Sequence, residues 1–234
     1  PQFGMFPNYI EEFRDRICTY SALPHSELVL TGKMLERLMA DSLDGTYTSD
    51  NSLVDIKKGS IGIQLKSTMQ QTKHIVWRRA SIPDKADRII ASRENETARD
   101  RLGISLLHNL NQAKTKSLEQ HECTHFSIFH IKFYKDDIVE VIECNIGTNT
   151  LFPPLDFNWQ WSTPKRGSPA LYGFHVQTAQ PWFCWNGNAG NHFCILNEKA
   201  WMEARADSIF RYAFIKTRRE DRLTLERFEE LLGR

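Results

Sequence analysis

VDIKKGSIGIQLKST, residues 54–68, alternates apolar and polar side chains on both sides of a Lys-Gly pair. Alternation with a period of two predicts two strands, and the Lys-Gly pair predicts the turn of a β-hairpin between them. We expect Lys58 and Gly59 to form a two-residue turn, which places Asp55 opposite Gly62. The hairpin is the starting point for predicting a sheet in the middle of the chain.

Three polar side chains share one face of this predicted hairpin. Because side chains alternate along a strand, Gln64 and Lys66 project from the same face as Asp55. Gly62 lies on that face too, and we expect its missing side chain to leave a void beside Asp55 that fits a cation or a phosphate oxygen. The opposite face is apolar and consists of Val54, Ile56, Ile61, Ile63 and Leu65.

This set of groups suits the hydrolysis of a phosphodiester. Carboxylate, amide and main-chain carbonyl oxygens are hard ligands, so Asp55, Gln64 and the carbonyl of Leu65 are the predicted ligands of Mg²⁺. Lys66 is predicted to orient the attacking water or to stabilise the transition-state charge. Glu36, on the preceding helix, borders an apolar stripe and is the further candidate acid. The alternative is an amphipathic surface hairpin whose polar side chains face water.

The length and composition are those of an ordinary globular protein, since the chain has 234 residues, of which 41% are hydrophobic and 25% are charged. A chain of this length can form one or at most two domains. No run of about 18 apolar residues occurs and the first residues include acids, so we expect no membrane span, no secretion signal and a cytoplasmic protein. The five cysteines include no Cys-x-x-Cys pair. Reduced thiols are therefore expected rather than disulfides or a structural zinc.

Basic residues are concentrated in one part of the chain. Residues 57–116 hold thirteen basic and five acidic side chains, although the whole chain has a net charge of only +1. Such a segment is typical of a surface that binds a polyanion, and the candidate contacts are Lys57, Lys58, Arg78 and Arg79. The alternative, for the arginines of residues 88–101, is a solvated helix that alternates charges of both signs.

Helical patterns cover residues 8–20, 27–43, 84–118, 198–214 and 222–232. Strand patterns cover residues 52–57, 61–67 and 74–78, and a further hairpin is expected around Asp136-Asp137. This order predicts a single α/β or α+β domain over residues 1–234, with a central mixed sheet flanked by helices. We expect a catalytic core at 27–145, target-recognition loops at 146–197 and C-terminal helices at 198–234. The terminal helix is predicted to dock on the core or on a second subunit of a homodimer.

Residues 121–125, HECTH, match the His-Glu-x-x-His signature of zinc proteases. His121 and His125 chelate one zinc ion only on a helix, with Glu122 as general base and Glu143 as a candidate third ligand. The next residues, FSIFHIKFY, are β-rich, and in an extended chain the two histidines lie about 13 Å apart. A zinc metalloprotease is therefore the less favoured alternative.

The recognition segment holds four of the six tryptophans among polar residues. Lys or Arg reads guanine and Asn or Gln reads adenine, so Lys165, Arg166, Asn186 and Asn188 are the candidate base contacts. The alternative is that the aromatic residues pack against the sheet while Asn and Gly form turns.

The segment TGKMLERLMADSL, Asp55 and the strand GIQLKST together resemble the core of the PD-(D/E)XK nuclease superfamily. The resemblance is greatest to the branch that holds the mismatch-repair nicking enzyme MutH and related type II restriction endonucleases, and it covers residues 31–68. By position it implies that Glu36 is the helix acid and Asp55 the metal-binding aspartate. It likewise implies that Gln64 takes the second acid position and that Lys66 is the catalytic lysine.

Two residues depart from the family pattern, since Val54 replaces a common proline and the neutral Gln64 replaces an acid. The second departure implies weaker metal binding. The resemblance implies a restriction-endonuclease-like fold whose antiparallel hairpin carries the active site. It also implies a Mg²⁺-dependent endonuclease for double-stranded DNA, as a type II restriction enzyme or a nicking variant. Because Gln64 is neutral, a non-catalytic DNA-binding module on the same fold is the second hypothesis.

Overall fold

The computed structural model describes Phe6, Leu30, Asp221 and residues 8–24, 32–72, 74–162, 168–187, 190–217 and 223–231. Within these ranges the helices are α1 (Tyr9–Ala22), α2 (Gly32–Ser42), α3 (Lys85–Glu94), α4 (Glu96–Gln120), α5 (Glu198–Arg205) and α6 (Leu225–Leu231). The strands are β1 (Thr46–Tyr47), β2 (Ile56–Lys58), β3 (Ile61–Met69), β4 (Ile75–Arg79), β5 (His125–Phe133), β6 (Ile138–Gly147), β7 (Phe157–Trp161), β8 (Leu171–His175), β9 (Pro181–Asn186), β10 (His192–Ile195) and β11 (Ser208–Ile215). None of the described helices is both long enough and apolar enough to cross a membrane.

The chain divides into two compact units that each collect segments distant in sequence. Unit 1 comprises Pro1–Gln71, Leu118–Gly147 and Asp207–Arg234. Unit 2 comprises Thr72–Ser117 and Thr148–Ala206. The segment expected as a catalytic core, residues 27–145, therefore contributes to both units.

Unit 1 is built on a six-stranded mixed sheet with the strand order β1-β2-β3-β5-β6-β11. Strands β3 and β5 are parallel, and the other neighbouring pairs are antiparallel. Helix α1 packs Phe13 and Ile17 into the core at helical spacing, and α2 adds Leu35 and Met39. The expected mixed sheet with flanking helices is confirmed, and its β2–β3 hairpin holds the quoted sequence.

The helix expected over residues 198–214 is wrong in its second half. Helix α5 ends at Arg205, and β11 pairs antiparallel with β6. Phe210, Tyr212 and Phe214 alternate with more exposed residues, and Tyr212 and Phe214 pack against the core of unit 1. This alternation, at the edge of a sheet, is the period of a strand rather than that of a helix.

Unit 2 contains a five-stranded antiparallel sheet with the order β4-β10-β9-β8-β7. Aromatic residues fill its core, where ring centroids lie 5.2–5.6 Å apart among Trp77, Phe152, Phe183, Phe193 and Trp201. Trp159, Trp182 and Trp185 are buried as well. For these tryptophans the packing alternative holds, because a buried indole is not available to read a base.

Candidate active site

The turn of the β2–β3 hairpin lies one residue later than expected. Lys58 pairs with Ile61 and Lys57 with Gly62, so Gly59 and Ser60 form the turn. Gly59 has φ of 57°, in the left-handed region that favours glycine. A two-residue hairpin of this kind requires positive φ at its first central position, and this requirement decides the register. The predicted Lys58-Gly59 turn is therefore wrong.

Asp55 lies where the regular ladder ends. Its N–H donates to the carbonyl of Ile63 at 2.9 Å, although Ile63 already pairs with Ile56. Asp55 and Ile56 thus both align with Ile63, as in a β-bulge, and the expected pairing of Asp55 with Gly62 is wrong. The Asp55 carboxylate reaches further along β3, where Oδ2 accepts a hydrogen bond of 2.8 Å from the N–H of Leu65.

The space beside Gly62 is filled by hydrocarbon. A Cβ at this position would lie 2.7 Å from Cγ2 of Val54 and 3.0 Å from Cδ2 of Leu118. The expected void for a cation is therefore absent, and Val54 lies on the Gly62 side rather than on the opposite face. Glycine is required here because the side chains of Val54 and Leu118 approach the strand closely. Of the residues assigned to the opposite face, Ile56, Ile63 and Leu65 are indeed in the core.

Three of the charged residues singled out in the sequence interact electrostatically in the folded chain. Burial raises the pKa of Glu36, while the nearby ammonium of Lys66 and a hydrogen bond from Tyr47 oppose that rise. The charges of both Lys66 and Glu36 also act on Asp55. The fold therefore brings Glu36 of α2, Asp55 just before β2, and Lys66 of β3 within electrostatic range of one another.

Asp55 has a strongly shifted pKa. Burial is the largest cause, and together with the charges of Glu36 and Asp50 it raises the pKa of Asp55 to about 7. The hydrogen bond from the N–H of Leu65 and the charge of Lys66 act in the opposite direction. Since a buried carboxylate gains from an added positive charge, this environment favours a cation beside Asp55.

Gln64 supplies an oxygen that lacks a hydrogen bond. The residue is 2% exposed, and its Oε1 is buried with no donor among the described residues. An unpaired buried acceptor costs about 1–3 kcal/mol, so such groups require an explanation. A bound cation would satisfy this oxygen.

The carbonyl of Leu65 is directed to the same edge of β3 as its N–H, because both groups of one residue point to the same side in an extended strand. The edge is the one where Asp55 accepts the Leu65 N–H. Within the described ranges no three His, Cys, Asp or Glu side chains are grouped as metal ligands. The carboxylate of Asp55, the amide oxygen of Gln64 and this carbonyl are each of the oxygen type that Mg²⁺ prefers.

The loop before Asp55 contains residues whose part the sequence did not indicate. His121 Nε2 lies 3.1 Å from Oδ2 of Asp50 and 3.0 Å from Oγ of Ser52. Ser52 Oγ also donates to the carbonyl of Val54, directly before Asp55. Residues 44–52, DGTYTSDNS, show only a turn-forming composition in the sequence, which gives no reason to connect this loop with His121 or with Asp55.

The zinc-protease alternative does not agree with the fold. Helix α4 ends at Gln120, and Glu122 adopts a left-handed conformation with φ of 54°. His125 is exposed as the first residue of β5, whereas His121 is bonded to the loop before Asp55. Glu143, the candidate third ligand, accepts from Tyr9 and Asn145 instead. The helix required by His-Glu-x-x-His is therefore not formed by these residues.

The candidate DNA contacts of unit 1 have acidic neighbours. The ammonium of Lys57 lies 3.8 Å from the carboxylate of Glu122. That of Lys58 donates to the carbonyl of Asp44 at 2.8 Å and lies 3.2 Å from its carboxylate. Both pairs lie at the surface, where an ion pair contributes little to stability. Each lysine can therefore readily exchange its carboxylate partner for another anion.

In unit 2, Arg79 is exposed, and burial lowers the pKa of the partly buried Arg78. Asn186 Oδ1 is buried and lacks a hydrogen-bond donor among the described residues. Lys165, Arg166 and Asn188 lie outside the described residues. The base contacts of Lys165, Arg166, Asn186 and Asn188 stay predictions, and so do the polyanion contacts of Arg78 and Arg79.

No family model matches the chain. No curated protein matches it in sequence. Among solved structures it is similar to a restriction endonuclease in complex with substrate DNA, at 9% sequence identity and a TM-score of 0.44. The similarity covers 97% of this chain and 91% of the other.

Proposed function

We propose that this chain is a Mg²⁺-dependent endonuclease that hydrolyses phosphodiester bonds of double-stranded DNA, as a sequence-specific type II restriction enzyme. One observation carries the proposal. The charges of Glu36, Asp55 and Lys66 converge next to a strand that also holds the buried, unpaired amide oxygen of Gln64. The resemblance of residues 31–68 to the PD-(D/E)XK pattern assigns the same four residues to catalysis.

Each residue has a role that its environment supports. Asp55, Gln64 and the carbonyl of Leu65 would hold Mg²⁺, whose chemistry is to lower the pKa of a bound water and to neutralise phosphate charge. Lys66 holds a positive charge beside the scissile phosphate, where it orients the attacking water and stabilises the charge that develops. Glu36 keeps the Lys66 ammonium in place through its opposite charge.

A non-catalytic DNA-binding module is the second candidate, and Gln64 is the observation that favours it. A neutral amide binds a divalent cation more weakly than the acid expected at this position. Such a module would retain DNA without cleaving it.

The test is to incubate the purified protein with plasmid and phage DNA in Mg²⁺ and to follow cleavage by gel electrophoresis. We expect discrete fragments from the wild type and a loss of about 10²-fold or more in rate for Lys66→Ala and for Asp55→Ala. Lys135→Ala is the matched control, because Lys135 is exposed at the β5–β6 turn and its loss should leave cleavage unchanged.

DNA binding is measured in parallel by gel shift in a chelator. DNA that is bound but left intact in Mg²⁺ and Mn²⁺ across many sequences would support the binding module and end the catalytic proposal. Equal cleavage by Lys66→Ala and the wild type would remove Lys66 from the mechanism.

A further inference from the structure

Two cysteines face each other in the sheet of unit 2. Cys184 of β9 and Cys194 of β10 are direct partners in an antiparallel ladder, and both are free thiols. In the same ladder the N–H of Leu196 donates to the carbonyl of Trp182 at 2.7 Å. Hydrogen-bonded pairs recur every second residue, so Cys184 and Cys194 are such a pair, with Cα atoms about 5.5 Å apart. This separation lies in the range that a disulfide spans.

The surroundings of the pair favour oxidation of the two thiols to a disulfide. Cys184 is partly exposed, whereas Cys194 is 7% exposed. The Cys184 thiol donates a hydrogen bond to the sulfur of Cys194, which lowers the pKa of Cys194. Thiolate is the reactive form of cysteine, so the pair presents a nucleophile with a second thiol directly beside it. Among the cysteines of unit 1, Cys144 of β6 faces Ile128 and Ile209 in its two ladders, Cys123 precedes β5, and Cys18 donates to the carbonyl of Ile215.

We propose that Cys184 and Cys194 form an oxidative modification site, at which hydrogen peroxide converts the two thiols to a cross-strand disulfide. The Cys194 thiolate attacks the peroxide, its sulfur is oxidised to a sulfenic acid, and the O–O bond breaks to release hydroxide. The Cys184 sulfur then displaces the hydroxyl group, forms the S–S bond and loses its proton. In sum, two thiols and one peroxide give one disulfide and two waters. The site does not depend on the proposed nuclease activity.

The experiment treats the reduced full-length protein with hydrogen peroxide and blocks the remaining thiols with a light alkylating reagent under denaturing conditions. The protein is then reduced and labelled with a heavy form of the same reagent. Both cysteines lie in one tryptic peptide, between Arg166 and Lys199. We expect heavy label on Cys184 and Cys194 together, with Cys123 and Cys144 carrying the light label.

The control variants separate a disulfide from other oxidation products. The variants are oxidised in the presence of dimedone, which caps a sulfenic acid irreversibly. In Cys184→Ser no disulfide can form, so we expect no heavy label on Cys194, while Cys144→Ser leaves the labelled pair unchanged. Heavy label on Cys194 in the Cys184→Ser variant would overturn the proposal, and so would light label on both cysteines of the treated wild type. A disulfide-linked dimer on a non-reducing gel, in place of the intramolecular link, would overturn it as well. The wild-type measurement stands even if a variant fails to fold.

Discussion

The N–H of Leu65 donates a hydrogen bond of 2.8 Å to Oδ2 of Asp55. This bond fixes the carboxylate against the edge of β3 beyond the point where the β2–β3 ladder ends. It also places Asp55 next to the edge to which the Leu65 carbonyl is directed. The Leu65 N–H thus holds the Asp55 carboxylate at the edge to which the Leu65 carbonyl is directed, and both oxygens are ligands that we propose for the metal.

Asp55→Asn should stabilise the metal-free protein at alkaline pH. The folded pKa of Asp55, about 7, exceeds its ordinary value of 3.8. The folded state therefore binds this proton more tightly, and the stability from it is present below pH 4 and lost as the pH rises through 7. Since one pKa unit corresponds to about 1.4 kcal/mol, we expect a gain of roughly 1–4 kcal/mol at pH 8 in chelator. Urea unfolding at pH 4 and pH 8 measures it.

The matched control is Asp136→Asn, at the exposed β5–β6 turn, which should change stability little at either pH. A variant of Asp55 that is no more stable than the wild type at pH 8 would contradict the buried carboxylate described above.

Gln64→Glu should make the stability of the protein depend on a divalent cation. The new carboxylate would be buried at a position 2% exposed, so we expect a loss of about 2 kcal/mol or more in chelator. Mg²⁺ should restore the lost stability, because a carboxylate is a stronger ligand than an amide. Thermal unfolding with and without Mg²⁺ checks this, with the exposed Gln71→Glu as control. Equal responses of the two variants to Mg²⁺ would argue against metal at Gln64.

His121→Ala should impair the candidate site, and His125→Ala should not. His121 holds the loop before Asp55 through Asp50 and Ser52, whereas His125 is exposed. Losing these hydrogen bonds should cost about 1–2 kcal/mol of stability and slow DNA cleavage. Urea unfolding, cleavage rates and zinc content are measured for both variants. Bound zinc that both replacements remove would instead revive the protease alternative.

Glu36→Gln should reduce DNA cleavage less than Asp55→Asn does. Glu36 acts on Asp55 and Lys66 by its charge, and residues that orient a metal site in this way contribute about 10–100-fold. Initial cleavage rates at saturating Mg²⁺ give the comparison, with the exposed Glu229→Gln of α6 as control. If Glu36→Gln were as inactive as Asp55→Asn, Glu36 would have to be a direct ligand.

Gly62→Ala should destabilise unit 1 through a steric conflict. The added methyl group would lie 2.7 Å from Cγ2 of Val54, which we expect to cost about 1–3 kcal/mol. The double variant Gly62→Ala, Val54→Ala should recover part of this loss, because it removes the closest atoms. Urea unfolding of the two single variants and the double variant gives the coupling energy. Full additivity would mean that Val54 does not fill the space beside Gly62.

Strong periodic patterns allowed much of unit 1 to be predicted. Period-two alternation around Gly59 gave the β2–β3 hairpin, and apolar residues at helical spacing gave α1 and α2. The sequence does not predict strand β11, because Phe210, Tyr212 and Phe214 lie in a charged segment, residues 198–214, that is expected to be helical. An edge strand gains its stability from pairing with β6, which is 63 residues away at Ser208 and Asn145, and local pattern does not contain that information.

For the candidate site, the sequence by itself determined that Gln64 and Lys66 alternate with the core residues Ile63 and Leu65 along one strand. Only the tertiary structure decided the position of the turn, the filling of the space at Gly62 and the hydrogen bonding of the Asp50 loop by His121. The physical reason is range: alternation follows from the geometry of a single strand, whereas burial and charge interactions depend on segments that the fold brings together.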